Sequence, residues 1–168
     1  MTTIAYRDGI LAADSRVTHG EDGSARTHTC KKLFRKTITQ GKKTFEVVIA
    51  TAGESSPGMV FVDWYGTGKP IPDIFLHLGG DFTCLVLTPQ GLFEYDVYCR
   101  AEEVLDDFYA IGSGAKVALG AMACGKSAIE AVRIAARYDP YTGGRIVSET
   151  LEKAEVKRDR KKAVREGH

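Results

Sequence analysis

The order of strand-like and helix-like segments is the feature of this chain that most restricts its fold. Short β-branched and apolar segments are separated by tight-turn sequences, of which Arg7-Asp8-Gly9, Gln40-Gly41-Lys42 and Thr88-Pro89-Gln90-Gly91 are the clearest. Turns this short can join only antiparallel strands, because a parallel pair needs a much longer crossover. The chain is therefore predicted to be an α+β protein with helices packed on antiparallel sheets.

Seven predicted strands lie in the first two thirds of the chain, and one more follows near its end. They are residues 2–6, 10–13, 31–37, 45–51, 82–88, 92–95, 108–111 and 145–151. A helix is predicted over 59–65, where Pro57 marks the entry, and a helical turn or two over 74–78. The Ala-rich, Pro-free segment 114–138 predicts two further helices that are broken near Gly125.

Composition adds limits on size, partners and location. The 168 residues predict a single domain over 1–151 and a charged helix or tail over 152–168. With 27% charged residues and a net charge of +1, the chain shows no overall bias toward nucleic acid or membranes. It has neither a secretory signal nor an apolar run near the roughly 20 residues of a membrane span. A cytoplasmic protein is predicted, with its four widely spaced cysteines as packed thiols.

The first two residues suggest a catalytic group. Threonine is small enough at position two for excision of Met1 to be expected, and Thr2 would then be the amino terminus. A terminal threonine carries a hydroxyl nucleophile and a free α-amine, which can act as its base. The start of the chain therefore predicts a site for nucleophilic catalysis at Thr2.

A second motif, Gly120 to Ser127, matches the phosphate-loop pattern GxxxxGK[ST]. A phosphate loop joins a buried strand to a helix, but the residues before Gly120 already have a helical pattern. A structural interpretation accounts for the same residues: Gly125 ends one helix, and Ser127 with Glu130 forms a capping box that starts the next. A nucleotide-binding module remains a minor alternative.

Several segments, taken in order along the chain, resemble the family of proteasome β subunits and HslV-type peptidases. They are Thr2-Thr3-Ile4, residues 12–18 (AADSRVT), Lys31-Lys32, Ala52-Gly53, residues 110–114 (AIGSG) and residues 139–144 (DPYTGG). The resemblance implies a four-layer αββα sandwich, in which two antiparallel sheets lie between helix layers. It also implies an N-terminal nucleophile hydrolase that cleaves peptide bonds and needs no cofactor or metal.

The same resemblance implies a role for each of seven residues. Thr2 would be the nucleophile, Asp14 and Lys32 would flank it, and the backbone N–H of Gly53 would stabilise the oxyanion. Ser113, Asp139 and Thr142 would hold the terminal amine. The chemistry suits these types, because a threonine hydroxyl is a poor nucleophile until a base accepts its proton, and a nearby ammonium favours the alkoxide that forms. Considered singly, Asp14 could equally be a turn residue and Lys32 a solvated charge.

The resemblance further implies partners. Members of the family stack as homo-oligomeric rings, cleave polypeptides inside a closed chamber and are usually served by an ATP-driven unfoldase. Thr51 would line the pocket for the residue that precedes the cut, which predicts a preference for small or mixed-polarity side chains. The tail 152–168 has seven Lys or Arg against four acids, which is typical of a solvated helix but also compatible with docking or a nucleic-acid contact. The rival to a peptidase is a silent ring or scaffold subunit that retains Met1.

Overall fold

The computed structural model describes residues 2–19, 26–77 and 82–151. The strands in these ranges are β1 (Thr3–Arg7), β2 (Ile10–Ala13), β3 (Arg16–His19), β4 (Arg26–Thr29), β5 (Leu33–Gln40), β6 (Lys43–Gly53), β7 (Phe82–Thr88), β8 (Gly91–Tyr95), β9 (Ala101–Val104), β10 (Phe108–Gly112) and β11 (Val147–Thr150). The helices are α1 (Ser55–Trp64), α2 (Ile74–His77), α3 (Ala115–Ala123) and α4 (Ala128–Tyr138).

The strands form two main sheets and one small ribbon. The first sheet has the order β10-β1-β2-β11, the second has the order β5-β6-β7-β8-β9, and β3 pairs with β4. Neighbouring strands in all three are antiparallel. This confirms the prediction of antiparallel sheets in an α+β chain.

Alternation along the strands decides what each sheet face packs against, because successive side chains point to opposite faces. In β1, Ile4 belongs to an apolar cluster that joins the two main sheets and includes Leu11, Val48 and Leu85. The next residue, Ala5, belongs instead to a cluster with residues of α3 and α4. The small side chains on this face of β1 and β2 let the two helices approach the sheet closely.

The second sheet has its own helix-covered face, centred on Phe61 of α1. Phe61 is fully buried and has its ring centroid 5.6 Å from that of Phe82 and 5.1 Å from that of Tyr95. Val47 and Ile49 of β6 belong to the same cluster, whereas Val48 lies in the cluster between the sheets. This aromatic packing holds α1 at the end of β6, next to Gly53.

Most predicted elements are confirmed, and the differences have physical causes. The three hairpins, α3, α4 and the strand predicted over 108–111 are present. The helix predicted over 59–65 is present as α1, but it begins four residues earlier, at Ser55. Strands β3, β4 and β9 were not predicted, since they are only four residues long and mostly polar or acidic. Much of the predicted loop at 19–24 and the whole of the tail 152–168 lie outside the described residues.

The segment from Gly120 to Ser127 is a boundary between two helices, which confirms the structural interpretation of the phosphate-loop match. Gly120 lies inside α3, and Gly125 follows that helix with a φ of +85°. Ser127 caps α4: its hydroxyl accepts from the backbone N–H of Glu130 at 3.2 Å, while the Glu130 carboxylate accepts from the backbone N–H of Ser127 at 3.1 Å. Reciprocal bonds of this kind define a capping box.

Within the described ranges, no helix is long and apolar enough to cross a membrane. The cysteines are free thiols: Cys84 and Cys99 are buried, Cys30 is half-buried and Cys124 is exposed.

Candidate active site

The antiparallel pairing of β1 brings its first residues next to the last residues of its two neighbours. Thr3 pairs with Gly112 at the end of β10, and Ile4 pairs with Ala13 at the end of β2. Thr2, Asp14 and Ser113 directly follow or precede these paired positions. The local pairing register therefore gathers three of the predicted residues at one end of the first sheet.

The second sheet contributes two more residues at the same end. Lys32 directly precedes β5 and Gly53 is the last residue of β6, and these strands are antiparallel neighbours. The backbone N–H of Thr51 donates to the Lys32 carbonyl at 3.1 Å, so the pairing continues past the start of β5. Gly53 has a φ of +92°, a conformation that glycine adopts without strain as the chain leaves β6 for α1.

Asp14 and Lys32 form a buried ion pair. The Lys32 ammonium donates to Asp14 Oδ1 at 2.9 Å and to the carbonyl of Arg16 at 2.6 Å. The side chains of Lys32 and Asp14 are only 4% and 0% exposed. Buried charges are found almost only where they are paired and hydrogen-bonded, so this pair is not the solvated surface charge that Lys32 alone could have been.

The Asp14 carboxylate is held by three backbone donors besides Lys32. Its Oδ1 accepts from the N–H of Thr3 at 2.9 Å, and its Oδ2 accepts from the N–H groups of Arg16 at 3.2 Å and Gly143 at 2.9 Å. These donors come from three separate segments of the chain. Asp14 therefore ties the start of β1 to the loop after α4 and presents Lys32 in one orientation.

A hydrogen-bonded chain of hydroxyls lies on the other side of Thr2. Ser113 Oγ and Thr142 Oγ1 lie 2.7 and 2.5 Å from Asp139 Oδ2, and Thr3 Oγ1 lies 2.5 Å from Thr142 Oγ1. Since an ionised carboxylate only accepts, both Ser113 and Thr142 donate to Asp139, and Thr3 donates to Thr142. Burial raises the pKa of Asp139, but the hydrogen bonds from Thr142 and Ser113 outweigh it and hold that pKa below its ordinary value.

Two cavities meet at Thr2. One has a volume of about 590 Å³ and is lined by Ala52, Phe82, Thr83, Glu94, Asp96, Val97, Gly112 and Ser113 besides Thr2 and Gly53. The other has a volume of about 360 Å³ and is lined by Val17, His28, Cys30, Lys31, Lys32, Phe34, Thr51, Glu54, Ser55 and Met59 besides the same two residues. Thr2 and Gly53 are the residues that the two linings share. A substrate chain lying across both cavities would pass between Thr2 and Gly53.

Gly112 allows the close approach of β10 to Thr2. Its φ is +93°, and a Cβ atom built on it would lie 1.9 Å from the carbonyl oxygen of Thr2. We expect Gly112→Ala to lower the free energy of unfolding by roughly 3 kcal/mol, since it combines backbone strain with a clash against backbone. Urea denaturation measures this effect as a lower midpoint.

Gly120→Ala is the matched control for that substitution. Gly120 lies inside α3, and a Cβ atom there would meet nothing within 4 Å. We expect this variant to be as stable as the wild type or up to about 1 kcal/mol more stable, because alanine is the better helix former. Equal urea midpoints for the two variants would contradict the role given to Gly112.

All seven predicted site residues lie at this end of the molecule, and the structure adds three that the sequence did not indicate. Thr3 joins Asp14 to Thr142, the carbonyl of Arg16 accepts from Lys32, and the N–H of Gly143 donates to Asp14. Arg16 and Gly143 contribute only backbone atoms to these contacts, which any residue type can supply, so residue identity carries no signal for them. Thr3 could have been noticed as a second hydroxyl residue beside Thr2.

Comparison with known proteins identifies the fold. No protein-family profile and no curated protein sequence match the chain. Thiobacillus denitrificans BPH is similar in structure, with a TM-score of 0.61 and 21% identity over 92% of this chain and 98% of that chain. BPH in complex with epoxomicin has the same TM-score and identity, with 91% and 98% covered. Eukaryotic HslV from Trypanosoma brucei has a TM-score of 0.60 and 18% identity, with 90% and 98% covered.

These similarities extend over nearly the whole of each chain and confirm the resemblance seen in the sequence. The chain has the proteasome β-type fold of the HslV and BPH structures. At 18 to 21% identity the likeness concerns the fold, and the chemistry has to be argued from the site itself.

Proposed function

We propose that this protein is an N-terminal threonine peptidase whose nucleophile, Thr2, is exposed by removal of Met1. The observation that carries the proposal is that Thr2 and Gly53 are the residues shared by two cavities, with the buried Asp14–Lys32 pair next to them. A substrate chain that crosses from one cavity to the other would present a carbonyl to a hydroxyl and to a backbone N–H. That is the arrangement required for acyl transfer.

The reaction would proceed in two stages. In the first, Thr2 Oγ attacks the peptide carbonyl carbon and its proton passes to the α-amine of Thr2, while the Gly53 N–H stabilises the oxyanion that forms. Collapse breaks the C–N bond, the leaving amine takes the proton, and an ester remains on Thr2. In the second stage water attacks the ester by the same route and restores the hydroxyl.

Lys32 and Asp14 would support the nucleophile by charge. An ammonium group near Thr2 Oγ favours the negative charge that develops on that oxygen. Asp14, held by three backbone donors, would fix Lys32 in position. No proton would have to leave this pair during the reaction.

Ser113, Asp139 and Thr142 would orient the amine. Ser113 Oγ lies 3.4 Å from the Thr2 carbonyl oxygen but 2.7 Å from Asp139 Oδ2, so its single proton is directed to the carboxylate. Its lone pairs then remain available to accept from an ammonium at position 2. The negative charge of Asp139 would favour that ammonium after it has taken the proton from Oγ.

The cavity around Thr51 would receive the residue that precedes the cut. Its lining combines Val17, Phe34 and Met59 with polar groups of Thr51 and Lys31, which supports the predicted preference for small or mixed-polarity side chains. Cys30 also lies there, and burial raises the pKa of its thiol, although Lys32 opposes the shift. A protonated thiol is a poor nucleophile and would not compete with Thr2.

The proposal extends to architecture and assembly. Contacts of α1 with β6 and β7, and of α3 and α4 with β1, support the four-layer αββα arrangement. By resemblance to proteins of this fold we propose stacked homo-oligomeric rings in the cytoplasm, polypeptide substrates and an ATP-dependent unfoldase as partner.

Three measurements on the purified protein test this function. Intact mass should show a chain that begins at Thr2, and an unfolded protein substrate should be cut into peptides. Epoxomicin, which is bound in one BPH structure, should attach to Thr2 as located by peptide mapping. A chain that retains Met1, does not react with the inhibitor and does not cleave would support the silent scaffold subunit instead.

A further inference from the structure

Among the described residues that line the larger of the two cavities at Thr2, two carry carboxylates and none carries a cationic side chain. The charged residues in its lining are Glu94, in β8, and Asp96, which directly follows that strand. If the cavity around Thr51 receives the residue before the cut, this one receives the segment after the cut, because Thr2 and Gly53 are the described residues that both linings share. The negative charge in the lining of this cavity therefore faces the part of the substrate that follows the cleaved bond.

The two carboxylates differ in their partners within the protein, and Asp96 is the one that pairs with a cation. Asp96 Oδ2 accepts from the Arg100 guanidinium at 2.9 and 3.2 Å, and Asp96 Oδ1 accepts from the backbone N–H groups of Tyr98 and Arg100. Asp96 and Arg100 thus form a closed, charge-neutral turn. Both oxygens of the Asp96 carboxylate already accept two hydrogen bonds, so this carboxylate can accept few more from a substrate.

Glu94 has a neutral hydrogen-bond partner in place of a cation. Its Oε2 accepts from the Tyr109 hydroxyl at 2.5 Å, and no Lys, Arg or His in the described ranges forms an ion pair with it. The hydrogen bond to Glu94, together with burial and the charges of Glu94, Glu102 and Asp106, raises the pKa of Tyr109 to about 12. The phenol therefore stays protonated at physiological pH and fixes one carboxylate oxygen, which leaves Oε1 for another donor.

The surroundings of Glu94 strengthen its negative potential. Glu94 also borders two further depressions whose linings include Glu102 and Asp106. Among the described residues of these linings the cation is Arg100, which is already bound to Asp96. In the register of β8 and β9, Glu94 lies directly opposite Glu102. Like charges across a strand pair disfavour each other, and a cation placed between them relieves that repulsion.

We propose that Glu94 is a specificity-determining residue that selects substrates with Lys or Arg on the carboxyl side of the cleaved bond. Tyr109 is its positioning residue. This inference rests on the proposed peptidase function, and it adds the class of substrate that the site prefers. A Lys ammonium or an Arg guanidinium would bind Glu94 Oε1 by a charge-assisted hydrogen bond, while a substrate carboxylate at the same place would be repelled.

The test is an internal competition between matched peptides. A cut observed in an unfolded protein supplies the parent sequence, and the residue after the cut is varied to Lys, Gln or Glu. We expect kcat/KM for the Lys peptide to exceed that for the Gln peptide about fivefold at low ionic strength, the range of a partly screened ion pair, and the Glu peptide to be the slowest. The ratio should shrink as salt is added.

Two variants and one control assign the effect to Glu94. Glu94→Gln should remove the difference in kcat/KM between the Lys peptide and the Gln peptide. Tyr109→Phe should weaken the preference, since the carboxylate is then no longer held in one orientation. Glu103→Gln, an equal change of charge on β9 outside the lining of the Thr2 cavity, should keep it.

The outcomes separate this inference from the peptidase proposal. Cleavage of all three peptides at similar rates, or a preference that survives Glu94→Gln, would overturn the assignment of Glu94 and leave the peptidase intact. If nothing is cleaved, the peptidase proposal fails, and the role of Glu94 is decided by binding of Lys, Gln and Glu peptides of otherwise identical sequence to Thr2→Ala protein. There, tighter binding of the Lys peptide that is lost in Thr2→Ala/Glu94→Gln supports the inference, and equal binding of the three peptides overturns it.

Discussion

Replacing Thr2 by Ala is expected to lower peptide-bond cleavage by roughly 10⁴-fold or more, the size of effect seen when a nucleophile is removed from a hydrolase. The substitution removes the hydroxyl and leaves the α-amine, the Asp14–Lys32 pair and the Ser113–Asp139 contact unaltered. Labelling by epoxomicin at position 2 should disappear as well. Cleavage of an unfolded protein and intact mass after inhibitor treatment measure the two effects.

Thr2→Ser and Thr83→Ala are the matched controls for that result. Serine keeps a hydroxyl beside a free amine, so it should retain measurable cleavage and labelling. Thr83 lines the same cavity and loses the same hydroxyl, but it lies on β7 opposite Ala52 and has no role in the proposed reaction, so its loss should change cleavage by less than about tenfold. Turnover that persists in Thr2→Ala at the wild-type rate would show that the activity does not come from Thr2.

Lys32→Met is expected to destabilise the protein by about 3–5 kcal/mol and to reduce cleavage at least a hundredfold. Asp14 is fully buried, so loss of its cation leaves a charged carboxylate that only backbone donors compensate. Cleavage should fall because the charge that favours the Thr2 alkoxide is gone. Urea denaturation and cleavage of an unfolded substrate report the two effects separately.

A double variant distinguishes the structural part of that effect from the chemical part. In Lys32→Met/Asp14→Leu both charges are absent, and replacing a buried pair by apolar groups is often close to neutral. We expect part of the lost stability to return, with a coupling of about 1–3 kcal/mol between the sites, whereas cleavage stays low. Lys43→Met, at an exposed lysine at the start of β6, should change stability by less than about 0.5 kcal/mol.

Recovery of cleavage together with stability in the double variant would contradict the proposed role of Lys32 in catalysis. It would show that the pair serves the fold alone. If the stability lost in Lys32→Met/Asp14→Leu instead equals the sum of the losses in Lys32→Met and Asp14→Leu, the direct pairing of the charges is contradicted. Residues that share an ion pair do not act independently.

Elements with a strong local pattern could be predicted from the sequence, and those without one could not. The hairpin at Asp8-Gly9 was evident because both residues have positive φ, which Asp tolerates and Gly favours. The capping box at Ser127 was evident for the same local reason. Strand β9, with two exposed glutamates among its four residues, has no such pattern and exists because β8 offers it an edge.

The candidate site divides in the same way. Thr2, Asp14, Lys32, Gly53, Ser113, Asp139 and Thr142 were named because their types and their order resemble a known family. Glu94 was not named, since an acid in a strand carries no signal of its own. Its significance comes from lying in the cavity that contains Thr2, with Tyr109 as a neutral partner.

The amino-acid sequence alone therefore determined the antiparallel architecture, the helix boundaries and the residues that could carry the chemistry, because turns, caps and residue types act over a few positions. The tertiary structure decided which of them meet. Asp14 is joined to Lys32 and Gly143, and Thr3 to Thr142, by contacts between distant parts of the chain. Such contacts follow from strand register and sheet packing, which place the ends of β1, β2, β6 and β10 together, and no local pattern encodes them.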